Sequence, residues 1–204
     1  MQLWQYVITT DAGKAPNYDA PAATLAICKP QIRKRAEIGD LVVAYAGSGL
    51  RRNPHAVVWG GIVSGKMTFS EYWDAPDFQG KKPGACCHPD NIYRPVGNSF
   101  VQVQNCSHDP SQKARDLSCL NVLVFERFWR IGPDKEPPSI ISSRLEMTAR
   151  RGHRRSPVTA DELAVWIAWL EEHSIPADRG CGPDGICCRS RQMKRKRKGA
   201  HPIC

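Results

Sequence analysis

The residues Leu41-Val42-Val43-Ala44-Tyr45-Ala46 form an unbroken apolar run that opens on the Gly39-Asp40 turn and closes on a Gly-Ser-Gly loop. A short run of this kind, rich in Val and bounded by turn residues, is a buried strand, and its position fixes what the segments on either side can do. Immediately before it lies Cys28-Lys29-Pro30-Gln31-Ile32-Arg33-Lys34-Arg35-Ala36-Glu37-Ile38. Lys29, Arg33, Lys34 and Arg35 therefore stand at the mouth of a strand, where a loop can present cations to an anion. That layout points toward nucleotides or nucleic acid.

The rest of the chain reads as short strands first and one good helix last. Leu3–Thr9 is aromatic and β-branched and is expected as the first strand, followed by a loop of turn residues to Asp19. Residues 31–37 suit a short helix, with Pro30 in its first turn. A third strand is expected over 57–67, where Gly60-Gly61 predicts a bulge or a close approach to the backbone. Residues 68–73 read as a short capped helix, 74–90 as a polar loop, and 100–103 and 121–129 as further strands. The clearest helix follows Thr159-Ala160-Asp161-Glu162, a capping box, with Leu163, Trp166, Ile167 and Leu170 on one face and Pro176 as its stop. This order describes an α+β chain, a small β-barrel or curled mixed sheet with peripheral helices and a C-terminal capped helix. There is no G-x-x-x-x-G-K-[ST] and no internal repeat.

The formal charge of +9 is concentrated in two patches. Residues 189–198 hold seven cations and no acid, and residues 144–155 carry five Arg against Glu146, so the remainder is slightly acidic. No apolar stretch approaches the ~18 residues that span a bilayer, and the N-terminus lacks a secretory leader, so a cytoplasmic protein is expected. Nine cysteines, an odd number, fit poorly with a complete disulfide framework. Cys86-Cys87-His88 and Cys181, Cys187, Cys188 miss the C-x₂₋₄-C spacing of structural zinc, so neither metal nor cofactor is expected.

Several tetrads, in order, resemble the nucleotide modification associated domain family, type two. They are Thr10-Asp11-Ala12-Gly13-Lys14-Ala15-Pro16-Asn17, Leu25–Arg33, Gly39-Asp40, Asp90-Asn91-Ile92-Tyr93, the strand Val122-Leu123-Val124 with Phe128, and Arg151-Gly152-His153-Arg154. Gly39-Asp40 entering a strand with Tyr45, followed by Gly61-Ile62-Val63, is similar to the EVE and PUA-like barrels, which hold a flipped-out modified base. The resemblance covers about residues 3–182 and implies a PUA-like domain over 1–180; the Cys-rich segment and basic tail over 181–204 lie outside it, and the run of like charges in that tail is expected to be disordered. It also implies a setting in phage or bacterial systems that make, or respond to, altered bases.

Candidate site residues follow from side-chain chemistry. Lys29, Arg33, Arg35, Arg51, Arg52, Arg151, His153 and Arg154 are expected to bind phosphate, Arg being able to grip it with two parallel hydrogen bonds. Asp11, Asn17, Asp40 and Asn91 could match donors and acceptors of a base edge, although Asx residues also cap turns, and for Asp40 the turn reading is preferred. Tyr45, Trp59 and Trp73, with Trp4 and Tyr72 beside them, could stack on a base, although strand aromatics are more often core. Tyr93 completes the base-binding set. His108, Asp11 and Tyr93 are the candidates for acid–base work, His108 being paired in this reading with the adjacent Asp109. The absence of H-x-E with P-C-x-x-C argues against a zinc deaminase.

The expected function is a nucleic-acid or nucleotide-binding module of a base-modification system, with DNA ahead of RNA and other proteins of the system as partners. The first alternative is an enzyme that modifies a base in the same pocket, and the second is a protein-binding adaptor.

Overall fold

The computed structural model describes residues 1–9, 11, 14–50, 53, 56–85, 88–105, 108–138 and 152–177. In chain order its elements begin β1 (Gln2–Ile8), β2 (Ala23–Leu25), α1 (Pro30–Arg35), β3 (Leu41–Ala46), β4 (Val57–Ile62), β5 (Gly65–Thr68) and α2 (Phe69–Asp74). They continue β6 (Tyr93–Val96), β7 (Ser99–Gln102), α3 (Lys113–Asp116), β8 (Asn121–Phe125), β9 (Arg127–Ile131), β10 (His153–Pro157), α4 (Ala160–Glu172) and β11 (Ser174–Ile175). The chain is α+β, with a six-stranded sheet of order β10-β1-β3-β4-β9-β11, a three-stranded sheet of order β2-β8-β5 and a β6-β7 hairpin.

Two compact units divide the chain. The described residues of the first fall within 1–11, 35–66, 124–138 and 152–177, and it holds the six-stranded sheet. β1 and β3 pair in parallel, Leu3 opposite Leu41 and Ile8 opposite Ala46, and the remaining pairings are antiparallel. The β3 run is buried at every position, as a parallel strand with covered faces must be. Leu3, Leu41, Val43, Tyr45, Val57 and Trp129 face Trp166 and Leu170 of α4 in one core cluster. α4 starts where its capping box predicts: Thr159 accepts from the Glu162 amide, and the Glu162 carboxylate accepts from the Thr159 amide. It ends at Glu172, ahead of Pro176, because Ser174–Ile175 leave the helix to pair with β9.

The sheet corrects the barrel half of the sequence reading. Its order runs from β10 to β11, so the described strands form an open mixed sheet with two edges. Three other boundaries differ. The strand expected over 57–67 is broken at Val63-Ser64, because Val63 turns back to Asp40 (Val63 N–H donating to its carbonyl at 2.9 Å) and Ser64 donates to the Val124 carbonyl. The strand expected over 121–129 is two strands, β8 and β9, which separate at Glu126. Residues 153–157, a basic cluster to which no element is assigned from sequence, are β10, paired antiparallel with β1.

Gly60 and Gly61 are where other groups approach closely. A Cβ at Gly60 would lie 2.8 Å from Leu170 of α4, and one at Gly61 would lie 2.9 Å from Phe125. The bulge falls elsewhere, between Ala44 and Tyr45.

The described residues of the second unit fall within 12–34 and 67–123. In it α2 is capped by Thr68 and Glu71 in a second capping box, a 3₁₀ turn covers Pro76–Lys81, and α3 follows a 3₁₀ turn capped by Asp109. No helix among the described residues is long and apolar enough to cross a membrane.

Candidate functional site

Asp116, at the end of α3, has no exposed surface and gathers polar groups from three distant segments of the second unit. Its Oδ2 is 2.6 Å from His108 Nε2 and accepts from Tyr93 Oη at 3.0 Å. Its Oδ1 accepts from the Cys28 amide at 2.9 Å, across 88 residues of sequence. The Arg115 guanidinium donates to Cys28 Sγ at 3.5 Å and lies 3.9 Å from Asp116 Oδ1. Cys28 Sγ, a His108 ring nitrogen and an Asp116 oxygen all fall within 4.8 Å of one another.

Local sequence explains the placement. Cys28 and Lys29 have φ of +61° and +45°, so two consecutive non-glycine residues occupy the left-handed region between β2 and α1. The turn is held by the Asp116 carboxylate on the Cys28 amide and by Ile32 and Arg33 amides that donate to the Lys29 carbonyl. His108 is fixed by its own amide, which donates to Asn105 Oδ1 at 2.7 Å, and by its carbonyl, which accepts from Gln102 Nε2 at 3.0 Å. Its side chain remains 9% exposed, so the cluster reaches the surface at His108 and Cys28.

Burial and charge set the protonation of these groups. Burial pushes the Cys28 thiol up, and the neighbouring Asp116 carboxylate adds to it, so the thiol is the resting form. Burial acts to raise the Asp116 carboxyl, but the His108 hydrogen bond and charge, the Cys28 amide and the Tyr93 hydroxyl outweigh it and hold the group below the usual carboxylate range. Burial and then Asp116 push the Tyr93 phenol far above its ordinary value, keeping it a donor. Burial, followed by the Arg115 charge, pulls the Lys29 ammonium down.

The expected acid–base set is thus half assembled and differently paired. His108 and Tyr93 meet on Asp116, not on Asp109, whose carboxylate caps the next turn by accepting from the Ser111 amide at 2.8 Å. Asp11 lies in the first unit, 3.4 Å from Arg130 Nη2. Cys28 and Asp116 escaped the sequence reading because nothing local to either marks a group 88 residues away; the only hint was a cysteine opening the most unusual basic segment.

The expected phosphate ligands divide. Arg33 is fully buried, and its guanidinium donates to the carbonyls of Cys28, Asp116, Cys119 and Asn121 at 2.5–2.9 Å. It closes the turn from within and has no surface for an anion. Lys29 is half-buried, and Arg35, His153, Arg154 and Arg155 are exposed. On β10, Arg155 lies over the Trp4 ring at 5.8 Å and His153 is 6.0 Å from it. Arg51, Arg52 and Arg151 lie outside the described residues, as do Cys86, Cys87 and the tail with its cysteines.

The expected base-binding residues are mostly interior. Tyr45 and Trp59 are core; Tyr45 Oη accepts from Gln5, and Trp59 Nε1 donates to Tyr6 Oη at 2.9 Å. Trp4 is buried and donates to Asp40, which also accepts from the Gln2 and Glu37 amides, so Asp40 is a turn residue. Asn17 is buried, with Oδ1 accepting from the Asp19 amide and Lys81 Nζ. Asn91 is buried and donates to the Tyr72 carbonyl at 2.9 Å; its Oδ1 has no partner among the described residues. Trp73 retains partial exposure, with Lys82 Nζ 4.0 Å from its ring centre.

The family model described as nucleotide modification associated domain 2 matches residues 1–181. No curated protein and no solved structure matches the chain.

Proposed function

The chain belongs to the nucleotide modification associated domain 2 family, and from that premise we propose that it acts on a nucleotide or nucleic-acid base within a base-modification system, at the cluster of Cys28, Tyr93, His108 and Asp116. One observation carries the reading. A buried carboxylate joins a histidine, a phenol and a cysteine turn in which two successive non-glycine residues have positive φ. Each such residue costs about 1–2 kcal/mol, and a buried carboxylate costs more unless every partner is in place. A fold needs neither, since apolar side chains of similar size stabilise as well or better. Strain and buried charge held together by a dedicated network gather where chemistry or binding occurs.

The roles follow from the contacts. Asp116 orients the His108 ring, so that His108 can exchange a proton with a ring nitrogen or exocyclic group of a base. Tyr93 steadies the carboxylate as a neutral donor. Lys29 and Arg115, the latter with its side chain half exposed, flank the cluster as phosphate anchors.

A second reading rests on β10. His153, Arg154 and Arg155 are exposed on an edge strand of the first unit, and with Arg35 they support contact with a polyanion, DNA ahead of RNA. A PUA-like reader would also need an aromatic with a free face. Of Tyr45, Trp59 and Trp73, Trp73 is the one that keeps exposed surface.

The test is titration of the full chain with single- and double-stranded oligonucleotides, plain and carrying modified cytosine or adenine, followed by mass analysis of the recovered nucleosides. A changed nucleoside mass that disappears in His108→Gln supports chemistry at the cluster. Selective binding with every nucleoside intact, weakened in Arg154→Gln/Arg155→Gln, supports the reader. Neither binding nor turnover overturns both and leaves an adaptor.

A further inference from the structure

We propose that Cys28, His108 and Asp116 form a divalent transition-metal site, with zinc the ion their donor set suits best. The inference rests on reading this cluster as functional and adds what it would hold. One thiolate sulfur, one imidazole nitrogen and one carboxylate oxygen within 4.8 Å make three ligands of the mixed N/S/O type that zinc takes. Three protein ligands leave the fourth tetrahedral position to water or to a substrate oxygen, the arrangement of catalytic rather than structural zinc.

The surroundings are those of a supported site. A ligating carboxylate is normally oriented by further hydrogen bonds, and Asp116 has the Tyr93 hydroxyl on Oδ2 and the Cys28 amide on Oδ1. Arg115 donates toward Cys28 Sγ at 3.5 Å, and a bound ion would displace the proton of the resting thiol. The His108 backbone is tied at both its amide and its carbonyl. Thiolate and carboxylate together neutralise a divalent ion, and the adjacent Arg33 guanidinium is hydrogen-bonded to four carbonyl groups. At 2.6 Å the His108 Nε2 and Asp116 Oδ2 atoms share a hydrogen bond. Ligand atoms of a tetrahedral zinc stand about 3.3 Å apart, so the ion replaces that bond with a modest opening of the His108 side chain. With an ion bound, His108 would serve as a ligand, and a metal-bound water, made nucleophilic near neutral pH, would take over the proton exchange that His108 carries out in the metal-free cluster.

None of the three belongs to a cysteine pair of familiar spacing. They come from the β2–α1 turn, the loop after β7 and the end of α3, and only the fold brings them together.

The test loads the full chain with zinc alone, removes loosely held ion by gel filtration and measures metal content, then repeats the loading with cobalt(II) and records the absorption spectrum. One zinc per chain and a cobalt spectrum with tetrahedral bands and a single-thiolate charge-transfer band are expected. Cys28→Ser should abolish the thiolate band. His108→Gln should weaken zinc binding on the order of tenfold or more. Cys86→Ser/Cys87→Ser should leave both unchanged. Substoichiometric zinc in the wild-type chain, or equal zinc and an equal spectrum in Cys28→Ser and His108→Gln, would overturn the site, and the wild-type spectrum decides even where a variant folds poorly. The two readings fail separately: zinc bound at the cluster with nucleosides unaltered sinks the proposed chemistry alone, whereas altered nucleosides without zinc sink the metal site alone.

Discussion

A carboxylate with no exposed surface depends wholly on its neighbours, and Asp90 shows how. Thr24 Oγ1 and Tyr72 Oη each donate to it at 2.7 Å, and the buried Lys81 supplies positive charge while its Nζ donates to Asn17, Ala22 and Thr24. Burial still dominates and pushes the carboxyl up to about 6, against the pull of Lys81 and the two hydroxyls. A raised carboxyl favours the protonated folded state, so its contribution is fully present below the unfolded value near 4 and is lost as pH rises through about 6. Urea unfolding of the wild type against Asp90→Asn should show their stability difference moving against the wild type between about pH 4 and 6; a constant difference would contradict it. Arg33 makes the parallel case for a cation. Arg33→Met strips donors from four buried or half-buried carbonyls and should cost about 3–5 kcal/mol in unfolding free energy, a loss too large for a surface phosphate ligand. Sequence gave the right residue type here and the wrong destination, because burial of an Arg is decided by the carbonyls that meet it from residues 116–121. His108 and Tyr93 are readable from side-chain chemistry as acid–base candidates. Their common partner is not, since Asp116 sits in a polar stretch like any solvated helix.

Elements with a local signature were legible, and those defined by a partner were not. Strand 41–46 and the helix capped by Thr159 stand where pattern and capping box put them. β10 reads His-Arg-Arg-Ser-Pro, with no apolar alternation, and is a strand because β1 offers an edge to pair with. The glycine pair of β4 announced a close approach without naming the visitor, which is Leu170 of α4. Gly60→Ala would put a Cβ 2.8 Å from Leu170 Cδ1 and Cδ2, and both are sealed in the core. Such overpacking should cost about 1–3 kcal/mol. In a double-mutant cycle Leu170→Ala should relieve it, so the pair costs less than the sum of the singles. Strict additivity would show that α4 does not rest on this glycine.

At the scale of the whole molecule the α+β class and the family were legible, and the closure of the sheet was not. Short strands of this composition close or stay open according to whether their ends find each other, which no local pattern records. Each of the two compact units is assembled from segments far apart in the sequence, so any site within one is invisible to a reading that moves along the chain. The basic strand β10 makes a claim of its own. Arg154→Gln/Arg155→Gln should weaken polyanion binding and flatten its salt dependence by up to about two charges, as read from affinity across a salt series; an unchanged slope would remove β10 from the interface. The central claim, that the Asp116 cluster is where this chain acts on a base, is tested most directly by mass analysis of nucleosides recovered from oligonucleotides treated with wild-type protein and with His108→Gln. Wild-type protein should shift the mass of one nucleoside and His108→Gln should leave it unshifted. An equal shift by both proteins, or intact nucleosides throughout with binding retained, would contradict the account.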